Sequence, residues 1–241
     1  MPATGAPRWY TSLTQLIADN SSSSLYQLAT TDAAHKPHVR TLVHRAFLTP
    51  QDHPSLPLLL TTTDRRSAKA GHLLHNPSVE LNWWIGGSAD QFRIGGTAHL
   101  IPLSPSPSGT AGPGSGVETA ARCPGIAALD AAGFDWRGKA DELFAMLSAG
   151  IRASFAGDVA PGTRLAGGYA QMDAWPLQLP ASVAEAKDEG EESAVRAARE
   201  HCALLVIEPT EVDWVQLGVE PNRRTRFWRE GEVWKEEAVA P

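Results

Sequence analysis

The chain lacks the features that mark several large classes of protein. Only two cysteines, Cys123 and Cys202, stand in 241 residues. They are too few and too far apart for a disulfide framework or a cysteine-based zinc site, and a reducing compartment is the simplest reading. Apolar runs such as "ALLVI" at 203–207 fall far short of the roughly 20 residues that cross a bilayer as a helix. Basic residues are not in excess: 21 Lys and Arg face 27 Asp and Glu, for a formal net charge of −6. This balance argues against a broad nucleic-acid surface but leaves room for a local basic pocket. The opening "MPATGAPRWYTSLTQLIADN" has no basic stretch leading into an apolar core, so no secretory signal is read there. Nucleophile-elbow and H-E-x-x-H patterns are missing, and "GPGSG" (112–116) has neither the strand before it nor the helix after it that a dinucleotide fingerprint needs. His72 and His75 read as helix-surface residues, not metal ligands. These absences together predict a soluble, cytoplasmic protein without a metal, a membrane span or a nucleic-acid partner.

What is present is ordinary globular composition, 42% hydrophobic and 20% charged, in a chain long enough for a sizeable core. Trp9, Leu13, Leu16 and Ile17 recur at helical spacing over 7–20. Strands are expected at 25–32, 38–48, 58–63, 79–85, 91–101 and 202–209. "VDWVQLG" and "RTRFWREGEVWKEEAV" add closing antiparallel strands with a tight turn through Glu230-Gly231. One helix follows the 58–63 strand and stops at Asn76-Pro77, because proline disfavours helix in the residue before it. Another starts near 138. Seven or eight strands joined mostly by short turns favour a mainly β fold, an antiparallel barrel carrying a few helices. Residues 102–130 open on the Pro, Ser and Gly-rich "PLSPSPSGTAGPGSG", and 181–200 are highly charged and expected to be partly helical. Both are expected to be flexible, dispensable insertions on a single domain spanning 1–241.

The stretch "TTTDRRSAKAGHLLHNP" (61–77) concentrates donors and positive charge at a helix start. Cations there oppose the helix dipole, which a bound anion would justify. Asp64 is expected to cap this helix, and Ala70, Leu73 and Leu74 to form its inward stripe, leaving Ser67 and Lys69 in the first turn. An anion site and a plainly solvated turn explain these residues equally well. "HVRTLVHR" places Arg40 and Arg45 at odd spacing, so on a regular strand they would point to opposite faces. Either a bulge intervenes, or one serves a site and the other the surface. Gln91, in "WWIGGSADQFRIGG", is placed to read a flat heteroaromatic ring, or is a polar residue on an exposed strand face.

The ordered set "RTLVHR", "TTTDRRSAKAGHLLHNPSVELNWW", "QFRIGGTAHLI" and "RTRFWREGEVWKEEAVAP" resembles the pyridoxamine 5'-phosphate oxidase-like, FMN-binding split-barrel family. The resemblance spans nearly the whole chain apart from the insertions. It implies a split β-barrel that binds FMN and works as a homodimeric flavin oxidoreductase on a small-molecule substrate. A non-catalytic flavin-binding or sensor module is the alternative. By position it puts FMN binding on Arg40, Arg45, Thr63, Ser67, Lys69, Gln91, Trp214 and Arg226. Trp214 would flank the flavin ring. The family's late Arg-x-His-x-Arg is "NRRTR" here, with Asn222 and Arg224 in place of the first two residues. Its Tyr-x-x-x-Arg-x-x-x-Ser is not evident, and Arg152, with Ser148 in the tyrosine's place, is the nearest relic. The resemblance thus implies an intact flavin half and an altered vitamin half, with Arg152 and Arg224 as the remaining substrate candidates.

Overall fold

The computed structural model describes residues 5–20, 23–103 and 123–241. Its strands are β1 (Leu25–Thr31), β2 (Pro37–Val43), β3 (Ala46–Leu48), β4 (Leu58–Asp64), β5 (Ser78–Ile85), β6 (Asp90–Pro102), β7 (Cys202–Gln216), β8 (Arg223–Glu230) and β9 (Val233–Val239). The helices described are α1 (Arg8–Asp19), α2 (Ala68–His75), α3 (Pro124–Ala131), α4 (Trp136–Ala145), α5 (Ala149–Ser154) and α6 (Glu189–His201).

All pairings are antiparallel, in the order β2-β1-β5-β6-β7-β4-β3, with β8 on β7 and β9 on β8. The ladder is not closed. Its two ends, β2 and β3, are joined by the chain itself through His44 and Arg45. Backbone bonds from His44 N to Ser24 O (2.7 Å) and from Arg45 N to Leu60 O (2.9 Å) hold that corner. The fold is therefore the split-barrel class expected, with a bend where one unbroken strand over 38–48 was expected.

β7 does double duty. Its whole length pairs with β6, while its other edge pairs first with β4 and then with β8. The expected strands at 202–209 and "VDWVQLG" are thus one strand. A register shift at Gly95/Gly96 lets β6 follow it. A Cβ on Gly96 would lie 2.3 Å from the Glu208 carbonyl oxygen, so that close approach requires glycine. In the closing hairpin Glu230 pairs with Val233, and Gly231 takes φ +64°.

Alternation on β4 and β7 divides the core in two. Leu59, Leu205 and Ile207 join Trp9, Leu13, Tyr26, Trp83 and Phe92 inside the barrel. Leu58, Leu60, Leu204 and Val206 face outward under Ile126, Leu143, Phe144, Val195 and Ala198 of the helices. The charged 181–200 stretch therefore holds a packed helix. Asp188 caps α6 by accepting from Glu191 N at 2.8 Å, and Val195 and Ala198 are completely buried. The insertion assigned to 102–130 likewise ends in a buried helix, α3; its residues 104–122 lie outside the described residues.

A buried ion pair pins α3. The Glu208 carboxylate meets Arg229 Nη2 at 3.0 Å and accepts from Gly125 N and Ile126 N at 3.1 and 3.2 Å. Charge removed from water needs this full set of partners.

Candidate functional site

The turn between β4 and α2 is built from its own polar residues. The Asp64 carbonyl accepts Ser67 N at 3.1 Å and Ser67 Oγ at 2.7 Å. Lys69 Nζ reaches back to Ser67 Oγ at 3.0 Å. The Asp64 carboxylate does not cap α2, as the sequence suggested. It accepts from Arg66 instead, at the backbone N (2.8 Å), Nε (3.1 Å) and Nη2 (2.7 Å). Ser67 occupies the cap position. Ala70 and Leu73 are buried as expected, but Leu74 is 82% exposed, because α2 is short and only one stripe meets the barrel.

Arg40 arrives from β2. It pairs with Leu28 in the β1–β2 register, so it lies on the inward face shared by Leu28 and Thr30. Its Nη1 donates to Leu28 O at 3.0 Å and to Thr30 Oγ1 at 2.8 Å. Thr30 Oγ1 also meets His72 Nδ1 at 3.0 Å. Burial, then the nearby Arg40 charge, depress the Lys69 ammonium to about 8, against an opposing pull from Asp64. Among the described residues neither Arg40 nor Lys69 has a carboxylate in an ion pair. Arg40 and Lys69 are thus two partly buried cations close enough to feel each other, with Asp64 the acidic group that opposes the shift on Lys69.

Thr63, next to the end of β4, is buried with its hydroxyl unpartnered. Arg45 is half-buried at the β2–β3 bend, and its Nε is buried without an acceptor. The bend breaks the regular alternation from which the odd spacing of Arg40 and Arg45 was read.

The other candidates lie elsewhere. Gln91 is on the outward face of the sheet, where its amide donates to Asn82 Oδ1 (2.7 Å), and Asn82 Nδ2 donates to Gln27 Oε1 (3.2 Å). Arg226 lies on the same face of β8, in a cleft of about 520 Å³ that it lines with Glu80, Arg93, Glu211 and Trp228. Arg224 is clamped by Asp213 through two bonds of 2.9 and 2.7 Å, and Arg93 binds the same carboxylate. These arginines, Arg224 first, hold Asp213 below the usual carboxylate range.

Two candidates are engaged by other partners. Trp214 is 6% exposed in the barrel core, stacked on Phe92 at 5.1 Å, with its indole N–H given to Asp90 Oδ1 at 2.7 Å. Alternation on β7 turns position 214 towards α1, where the indole lines a separate cavity of about 380 Å³ with Thr11, Gln15 and Leu16, away from Arg40 and Lys69. Arg152 is also committed, donating to Leu179 O (2.9 Å), Ala145 O (3.0 Å) and Leu147 O. It satisfies carbonyls at the end of α4, and Ser148 caps α5. Sequence reasoning missed Thr30, His72, Asn82 and Gln27. The polar residue alternating with apolar ones in "VELNWWI" marks Asn82, but nothing local pairs Thr30 with Arg40.

Residues 6–102 match the family described as "Pyridoxamine 5'-phosphate oxidase, FMN-binding domain". That match runs from α1 to the end of β6, less than half of the chain. Over 84 residues, 35% of the chain, it is 37% identical to pyridoxine/pyridoxamine 5'-phosphate oxidase 2 of Arabidopsis thaliana, and the match spans 40% of that relative. The fold as a whole is similar to a pyridoxamine 5'-phosphate oxidase-related, FMN binding protein from Nostoc punctiforme. There the TM-score is 0.67 at 24% identity, covering 99% of this chain and 100% of that one. It is also similar to PhzG from Burkholderia lata 383, solved with tetrahydrophenazine-1-carboxylic acid. That comparison gives a TM-score of 0.60 at 15% identity, over 100% and 94% of the two chains. At these identities the two structures speak for the fold. FMN is the cofactor of the matched domain. The donor set fits its phosphate: a guanidinium, an ammonium, the Ser67 hydroxyl and an unpartnered buried Thr63 hydroxyl sit around one helix start. No helix described is long and apolar enough to cross a membrane.

Proposed function

We propose that the chain is an FMN-dependent oxidoreductase of the pyridoxamine 5'-phosphate oxidase-like type, acting on a small molecule other than pyridoxamine 5'-phosphate. The observation that carries this is the Arg40–Ser67–Lys69 cluster, in which neither cation has an ion-pair partner among the described residues. Charge-assisted bonds from such groups to phosphate are the strong class of hydrogen bond. Arg40, Ser67, Lys69 and Thr63 would hold the FMN phosphate, with Arg45 beside them. Gln91, steadied by the amide ladder through Asn82 and Gln27 on the outward face, would face the ring system of a flavin held by a second protomer. When bound, FMN supplies reversible hydride and electron transfer. The protein's part is to anchor the phosphate, orient the ring and shape the space beside it.

The substrate reading follows from what is already committed. Arg152 is spent on backbone carbonyls, and Arg224 is clamped to Asp213. A ligand phosphate would have to compete for Arg224 against a bidentate carboxylate, and forfeiting a charged hydrogen bond costs about 1.5–3 kcal/mol. Arg226, exposed in the outer cleft, is the cation open to a different substrate or to the flavin of a second protomer.

The test starts with the visible spectrum of the purified protein. Arg40→Ala and Lys69→Ala should lose flavin on dialysis while circular dichroism stays native; full occupancy in both would move the phosphate site elsewhere. Bleaching of the flavin by a reduced nicotinamide, followed by reoxidation with a candidate substrate, supports an oxidoreductase. A flavin that binds and never turns over in such a screen favours a sensor. Turnover of pyridoxamine 5'-phosphate at about one per second or faster would make it a plain vitamin oxidase.

A further inference from the structure

Arg66 stands next to Ser67 in "DRRS", where a phosphate ligand would be expected, yet it turns away from the pocket. Its Nη1 donates to Gly157 O at 2.7 Å and its Nη2 approaches Phe155 O at 3.4 Å, while Nε and Nη2 grip Asp64. Phe155 caps the C-terminal end of α5, where helix carbonyls lack partners within the helix. The last residue of α6 converges on the same place. His201 Nδ1 donates to Phe155 O at 2.8 Å, and its own carbonyl accepts Arg65 N at 2.8 Å. The turn that presents Ser67 and Lys69 is thus bolted, by backbone and side chain, to the ends of two helices outside the barrel.

We infer that Arg66 is a positioning residue for the phosphate pocket, through which docking of α5 and α6 sets the affinity for a phosphate-bearing flavin. This rests on the reading that Arg40, Ser67 and Lys69 hold the FMN phosphate. The chain of contacts is short and continuous. The carbonyls of Phe155 and Gly157 fix the guanidinium, which fixes the Asp64 carboxylate. The Asp64 carbonyl receives both Ser67 N and Oγ, and Ser67 Oγ receives Lys69 Nζ. Guanidinium is suited to this work because its planar fork serves a carboxylate and carbonyls at once, which an ammonium does not. Side chains of Asp64 and Arg66 are 7% and 19% exposed, so water does little to loosen the link.

The experiment compares dissociation constants for FMN and riboflavin by flavin fluorescence on deflavinated protein. Only FMN uses the phosphate pocket, so the ratio isolates pocket geometry from general loss of fold. Wild type should prefer FMN strongly; equal affinities would overturn the phosphate reading itself. Given that preference, Arg66→Ala should weaken FMN by about tenfold or more and leave riboflavin unchanged. Arg66→Lys and Asp64→Asn should fall between, and they serve as the readout if the alanine variant does not fold. An unchanged FMN/riboflavin ratio in the variants that fold, whatever happens to their melting temperatures, would overturn the inference and leave Arg66 a structural bolt.

Discussion

Lys69 is the residue whose surroundings make the sharpest demand. Its ammonium is held down to about 8, by burial and then by Arg40. A phosphate dianion placed beside it favours the charged form and raises that value in the complex. Affinity for FMN is therefore expected to be flat from about pH 7, where the phosphate monoester is mostly the dianion, to about pH 8, to fall as pH rises from there towards the bound-state value, and to level off above it. Titrating FMN into deflavinated protein between pH 6 and 10 checks this. Lys69→Arg should abolish the fall, since a guanidinium stays charged over the whole range. A wild-type affinity that is constant to pH 10 would remove Lys69 from the phosphate shell. At this scale the sequence was legible where the signal is local. Ser67 and Lys69 lie two residues apart on one turn and can be read together. It was not legible where a role depends on which way a strand turns a side chain. Trp214 is buried by the alternation of β7, and Arg152 is drawn to carbonyls that become neighbours only after the helices fold.

Elements were legible in proportion to their periodicity. β1, β4, β5 and β6 alternate or run apolar, and their bounds fall within a residue or two of those expected. The break at His44–Arg45 and the continuity of β7 through Pro209 were not legible, because long-range partners decide both: Leu60 receives Arg45 N, and β6 pairs along all of β7. The charge of 181–200 concealed not the helix in it but its packing, because the buried stripe of α6 is only Val195 and Ala198 among acidic and basic neighbours. That stripe is short but completely covered. Val195→Asp is expected to destabilise by about 3 kcal/mol or more, since it buries an unpaired charge in the helical layer. For a chain of this size that is roughly 6–12 °C in melting temperature, read by circular dichroism on the deflavinated protein. A shift under about 1 °C, within what an exposed substitution gives, would mean that α6 is as dispensable as its composition suggested. Such a result would also weaken the link through His201 and Arg66.

The whole molecule presents its flavin candidates on two surfaces. Arg40, Ser67 and Lys69 gather at the inward-facing side of β2 and the start of α2, while Gln91 and Arg226 stand on the outward face of the sheet. That outward face also exposes Leu25, Val39 and Trp84, which are 49%, 66% and 45% accessible. By strand alternation they share it with Gln27, Asn82 and Gln91. Large apolar side chains interleaved with an amide ladder and a ring of charges suit an interface with a polar rim. A two-fold pairing, the commonest oligomer symmetry, uses the same patch twice. We propose that a second copy covers this face and that Arg226 of one protomer serves the flavin of the other, which would explain why one chain does not gather all its candidates. Light scattering of the flavin-loaded protein should give a dimer mass. Trp84→Glu, which places a charge in the apolar part of the face and touches none of the phosphate ligands, should shift that mass towards monomer and weaken flavin retention together. Arg226→Ala should weaken flavin retention while leaving the dimer intact. A monomeric wild type that keeps its flavin would sink the proposal, and the outer cleft would then belong to a single chain and its substrate.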